Sequence, residues 1–186
     1  MSPSEWTGIK SKTGVRMIDY EDRLVVAWEI DETLGEQDMA QLEGSNLAVL
    51  QGVAAIEEGG SPRLREEQPE LYKEIERLNA RLDLLIYMVG RMNAEQREDG
   101  ATRRVRLAVD HVEFVSTAGD ASPGQRGCLS LQLHISVPEP LRLPGRIVSE
   151  RTDSADRRWV RFEPFAMSTR LHDALDQLVF RHHRRT

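Results

Sequence analysis

Large apolar residues recur at Leu71, Ile75, Leu78, Leu82, Leu85, Val89 and Met92, in steps that alternate four and three. A period of 3.5 held over about four heptads predicts a helix over about 69–98 whose apolar seam faces other helices. With Ile75 at position a, the a layer is Ile75, Leu82 and Val89, and the d layer is Leu71, Leu78, Leu85 and Met92. Tyr72 and Ile86 at e and Met88 at g widen the apolar band beyond the need of two strands, which favours three or four, although a mixed a layer beside leucine at d by itself leans toward dimers. Pro69 falls in the first helical turn, where its missing N–H costs nothing.

A second helical pattern runs over about 34–58. Thr33 followed by Glu36 matches a capping box at its start, and Gly59 and Gly60 end it. Met39, Leu42, Asn46, Val49, Val53 and Ile56 again step by threes and fours, so Asn46 falls where the seam should be apolar and is expected to fix register at some cost in stability. Self-association through 69–98 is favoured over an intramolecular hairpin closed by "GGSPR", because a hairpin would leave apolar positions exposed on both helices.

Elsewhere the period is two. "RLVVAWEI" sets Leu24, Val26, Trp28 and Ile30 on one face of a strand. From Ala101, "RRVRLAVDHVEFVS", "GCLSLQLHISV", "PLRLPGRIVSE" and "RRWVRFEPF" are divided by turn-rich segments, a spacing that suggests a small antiparallel barrel or sandwich. Ser168 caps a final helix with an apolar stripe of Leu171, Leu175, Leu178 and Val179. The chain is therefore read as α+β in three parts: an arm and strand over 1–32 that joins the β-domain, a helical heptad insertion over 33–99 whose two long helices form an oligomeric coiled coil, and the main β-domain with its C-terminal helix over 100–186.

Composition narrows the function. A formal charge of -6 argues against nucleic acid as the main partner, and no apolar run reaches the roughly 20 residues of a membrane helix, so a cytoplasmic protein is expected. Cys128 is read as a small strand or core residue, and Trp28, Trp159 and Phe162 as core aromatics. His172, His182 and His183 do not form a metal-ligand spacing. The last two, with Arg184 and Arg185, are read as a solvated basic tail at the negative end of the last helix. No nucleophile elbow, phosphate loop or dinucleotide turn is present, so neither enzyme activity nor a cofactor is expected.

The "RR" entry at Arg103 and Arg104, the meander containing "LSLQLHISVP" and "LRLPGRIVSE", the "WVRFEPFAMS" strand and the closing "LDQLVFRHHRR" together resemble a PilZ domain. That resemblance implies a six-stranded bacterial β-barrel with a C-terminal helix and a place in cyclic di-GMP signalling. Nucleotide binding in the family depends on R-x-x-x-R and on [D/N]-x-S-x-x-G, and neither is intact. Arg103, Arg104 and Arg106 stand one and two apart, and Leu107 occupies the place of the second arginine. The second motif falls on Arg106, Ala108 and His111 in one frame, or on Phe114, Ser116 and Gly119 in another. The pattern resembles the branch in which a heptad-containing insertion makes tetramers. It implies a homotetrameric adaptor that meets an unidentified protein partner, with cyclic di-GMP binding disfavoured. The alternative is a divergent receptor that uses Arg103, Arg104 and Arg106 on the phosphates.

Overall fold

A computed structural model describes residues 18–58, 66–95, 100–117 and 119–184; within the long second helix, the side chains of Asp83, Ile86, Tyr87 and residues 89–95 lie outside that description. The elements in chain order are β1 (Asp19–Ile30), α1 (Glu36–Glu58), α2 (Pro69–Glu95), β2 (Ala101–Ala108), β3 (Val112–Val115), β4 (Arg126–Gln132), β5 (Leu141–Thr152), β6 (Arg158–Pro164) and α3 (Thr169–His183). The strands close an antiparallel barrel in the order β1-β2-β3-β6-β5-β4. β1 lies between β2 and β4, with Val26 opposite both Ala101 and Leu131. The long stretch read as one strand from Arg103 to Ser116 is two, β2 and β3, turned at Asp110, where Ala108 N–H donates to the His111 carbonyl at 3.0 Å.

Inward positions fill the barrel with branched and aromatic side chains, among them Leu107, Phe114, Leu129, Leu131, Leu143 and Phe162, each at most 1% exposed. Two glycines make room for the largest rings. Gly127 and Gly145 face each other across β4 and β5. A Cβ at Gly127 would stand 2.8 Å from Trp28 Cη2, and one at Gly145 would run into the Phe162 ring. Trp28 and Phe162 meet edge to face in this space, 5.7 Å between centroids.

α3 begins at Ser168, whose hydroxyl accepts the Leu171 N–H at 3.2 Å, and it buries Leu171, Leu175, Leu178 and Val179 against β1, β2 and α1. Each such side chain contributes roughly 1.5–3 kcal/mol on burial. α1 starts two residues later than the Thr33 capping box would have it. Thr33 donates to Asp31 Oδ1 through both its N–H (2.9 Å) and its hydroxyl (2.6 Å), while Asp38 reaches back to the Gly35 N–H at 2.8 Å, so Gly35 takes the N-cap.

α1 packs on β5 and α3. Its Met39, Val49, Leu50 and Val53 are at most 3% exposed, so the apolar stripe read as a helix-helix seam covers the barrel. Asn46 is not a register residue between helices. At 1% exposure, its Nδ2 donates to the Arg142 carbonyl at 2.7 Å and its Oδ1 accepts the Arg142 N–H at 2.9 Å. Asn46 thereby continues the hydrogen-bond ladder at a stretch of β5 that lies before its pairing with β6, which begins at Gly145. At the other end of α1, Glu57 accepts from His182 Nε2 at 2.5 Å and lies 3.6 Å from Arg181 Nε, and the His182 ring stacks on Tyr20 at 4.5 Å. His182 is thus part of a joint between α1, α3 and β1 rather than of a solvated tail. Burial, aided by the charges of Asp22 and Glu57, keeps the Tyr20 hydroxyl protonated.

No described element packs against α2. Its Lys73–Glu70 and Arg77–Glu74 ion pairs, at 3.1 and 2.6 Å, are solvent-exposed and add only tenths of a kcal/mol each. No described helix is long and apolar enough to cross a membrane.

Candidate functional site

Two regions carry the residues singled out by sequence: the apolar face of α2 and the arginines of β2. On α2, Leu71, Leu78, Leu82 and Leu85 are 48, 56, 53 and 58% exposed, and Ile75 is half-buried. Val89 and Met92 lie on the helix but outside the described side chains. Leu84 and Met88, at 60 and 53% exposure, extend the apolar surface beyond the heptad seam. Most helical stability in proteins comes from packing of an apolar face, and this face is open among the described residues.

The arginines of β2 do not converge. Neighbouring strand residues point to opposite faces, so Arg103 turns toward the barrel mouth while Arg104 and Arg106 share the outer face. Arg103 lies 6.0 Å from the Phe114 ring centre, pairs with Asp120 at 2.8 Å and donates to the Val115 carbonyl at 3.5 Å. Asp120 also accepts from the Thr117 hydroxyl and N–H; that hydroxyl, then Arg103, holds its carboxyl below the usual range. This closes the β3-β4 loop around an internal ion pair.

On the outer face, Glu21 bridges Arg104 and Arg106 at 3.3 Å each, and Arg106 also reaches Asp19 at 3.6 Å and Glu113 at 3.5 Å. Glu113 is only 4% exposed, and its carboxylate is shared with Arg151 at 2.8 Å. Arg106 and Arg151 both cover the Trp159 ring, with guanidinium carbons 5.6 and 5.3 Å from its centre. The indole N–H donates to Asp153 at 3.0 Å. Buried charges are tolerable when paired in this way, and the pairing occupies the guanidinium planes on which a base would stack. The sequence pointed to Arg103, Arg104 and Arg106 and marked Trp159 only as a core aromatic; nothing local marked Asp19, Glu21, Glu113 and Arg151, and these partners come from four other strands, β1, β3, β5 and β6.

Neither frame of the second expected motif offers a polar cradle. Phe114 is fully buried, the Ser116 hydroxyl donates to the Thr117 carbonyl at 3.1 Å, and His111 is buried beside Asp110 at 2.8 Å. Gly119 has φ +92°, a conformation suited to glycine, in the loop held by Asp120.

Comparison with known proteins adds three findings. A family model described as "Atypical PilZ domain, cyclic di-GMP receptor" matches residues 50–186. A crystal structure of a pathogenic protein from Xanthomonas campestris, described as a new tetrameric PilZ domain self-assembled via an unusual helical bundle, is 26% identical. The match covers 91% of this chain and 89% of that one, with a TM-score of 0.69. The Bacillus subtilis inhibitor of motility aligns at 14% identity over 48% of this chain and 45% of that one, with a TM-score of 0.40. No curated protein matches.

Proposed function

The chain belongs to the atypical PilZ family, and we propose that within it this protein is a non-enzymatic adaptor, a tetramer assembled through α2 that presents its barrels to a protein partner and does not capture cyclic di-GMP. The observation that carries this reading is the row Leu71, Leu78, Leu82 and Leu85, about half exposed on a helix that no other described element covers. Burying those leucines in a bundle is worth about 1 kcal/mol apiece, half the value of full burial from water. Four copies joined this way gain avidity for a weakly bound partner without a new contact. The tetrameric Xanthomonas relative, similar over nearly the whole chain, supports the assembly.

The same reading accounts for the arginines. Each of Arg103, Arg104 and Arg106 already holds a carboxylate of its own chain, so a nucleotide phosphate would have to displace Asp120, Glu21 or Asp19 before binding. The divergent-receptor alternative predicts calorimetric binding of cyclic di-GMP that Arg104→Ala abolishes. The adaptor reading predicts no saturable heat in either protein. Light scattering tests the assembly: the parent should weigh four chains, and Leu78→Asp with Leu85→Asp should bring the mass down to one chain of 21.2 kDa. Equal masses for the two proteins would refute assembly through α2.

A further inference from the structure

Apart from α2 and the arginine face, the described residues form a cleft of about 200 Å³ between the start of α1 and the outer surface of β1, β4 and β5. Its base is one cross-strand row, Glu29 on β1 opposite Cys128 on β4, and Cys128 opposite Pro144 on β5. Leu34 and Leu42 supply an apolar wall. Cys128 is 5% exposed, and burial pushes its thiol up, so it stays protonated and serves as an apolar floor.

Many described carboxylates of the barrel are paired with arginine, whereas those of this cleft are not. Glu21, Glu113, Asp120, Glu150, Asp153 and Glu163 each have an arginine within ion-pair distance. Among the described residues, Glu29, Asp31 and Asp38 of the cleft have none. α1 itself carries five acids and no lysine or arginine over 23 residues. Two of the cleft carboxylates are also pre-set: Asp31 by Thr33, which keeps it ionised, and Asp38 by the Gly35 N–H. Arg142 is the one cation in the lining, against three carboxylates.

A cleft with an apolar wall, an apolar floor at Cys128 and Pro144, and three carboxylates against one arginine matches a side chain that has an alkyl stem and a cationic head. We propose that this cleft docks a basic segment of a partner protein, seating an arginine or lysine whose stem lies on Leu34, Leu42 and Pro144 and whose charge meets Glu29, Asp31 and Asp38. The proposal rests on the adaptor reading and specifies the chemistry of its partner. The chain's net charge of -6 favours the approach of such a segment and makes the contact sensitive to salt.

The test uses the full chain and the peptide acetyl-Ala-Arg-Leu-Arg-Ala-amide, with a control in which glutamine replaces both arginines. Calorimetry gives the affinity, and hydrogen exchange locates the contact. The arginine peptide should bind and the control should not, with added protection in residues 28–44 and 126–145. Glu29→Lys should weaken binding by about two- to fivefold, and Arg142→Glu should strengthen it by a similar factor, each the effect of losing or gaining one exposed ion pair. Because the two variants are expected to move in opposite directions, partial unfolding cannot mimic the result. No binding, equal binding of the control, protection elsewhere, or variants that leave affinity unchanged would each overturn the proposal. Solution mass and a cyclic di-GMP titration on the same preparations report on the adaptor reading separately. A tetramer that binds neither peptide nor nucleotide overturns the cleft alone; a nucleotide-binding protein that ignores the peptide overturns both.

Discussion

Replacing Asn46 by alanine removes two hydrogen bonds at once, those of 2.7 and 2.9 Å to the carbonyl and N–H of Arg142. The side chain is 1% exposed, so the partners left behind on β5 face an apolar helix surface rather than open water. An unsatisfied buried group costs about 1–3 kcal/mol, and allowing for partial access of water to the vacated space, the two together should cost about 2–4 kcal/mol. At about 3 °C per kcal/mol for a chain of this size, the melting temperature should fall by about 6–12 °C. Urea and thermal unfolding measure this, at one fixed protein concentration because assembly and stability are coupled. Asn46→Asp should lose at least as much, since it gives up the donor and sets a carboxylate against the Arg142 carbonyl. Light scattering should find the mass of both variants unchanged. A variant within about 0.5 kcal/mol of the parent, or one whose main change is in mass, would refute the clamp and return Asn46 to a role between helices.

Gly145→Ala would force a methyl group into the Phe162 ring inside a filled barrel, and overpacking of this kind should cost about 1–3 kcal/mol in urea unfolding. The Asp153 carboxyl is held well below the usual range, first by the Trp159 indole N–H and then by the backbone amides of Arg157 and Ala155. A depressed folded value stabilises above the ordinary carboxylate range and is lost as pH falls through it. Asp153→Asn should therefore lose stability less steeply than the parent between about pH 4 and pH 2, followed by thermal melts across that window.

Much of the barrel was legible because local periodicity and burial agree. Leu24 and Val26 alternate with exposed Arg23 and Val25 on β1, and the stripe of α3 from Leu171 to Val179 is buried as its spacing implies. The heptad pattern of α2 is equally local, and its leucines are exposed as a free seam would be. α1 misled because a helix that lies along a barrel shows the same three-four spacing as one in a bundle. Contacts distant in sequence separate the two cases, among them the partner of Asn46, 96 residues away. The β2-β3 turn was missed because Asp110 and His111 carry no glycine or proline signal. Arg103, Arg104 and Arg106 read as one basic cluster in sequence; the strand pleat splits them, and carboxylates from β1 and β3 and from the β3-β4 loop neutralise them.

The position of β1 also sets the order of events during synthesis. Its pairing partners, β2 and β4, both follow the helices, so 70 residues from Asp31 to Gly100 must leave the ribosome before Val26 can meet Ala101. At about 5–20 residues per second that is roughly 4–14 seconds, long compared with helix formation. During this interval the nascent chain carries an unpaired strand containing Leu24, Val26 and Trp28, and the exposed leucines of α2, while the barrel that will pair the strand does not yet exist. Glu21, Asp22, Arg23 and Glu29, spaced along that strand, put charge at the positions where edge-to-edge pairing with another nascent chain would otherwise begin.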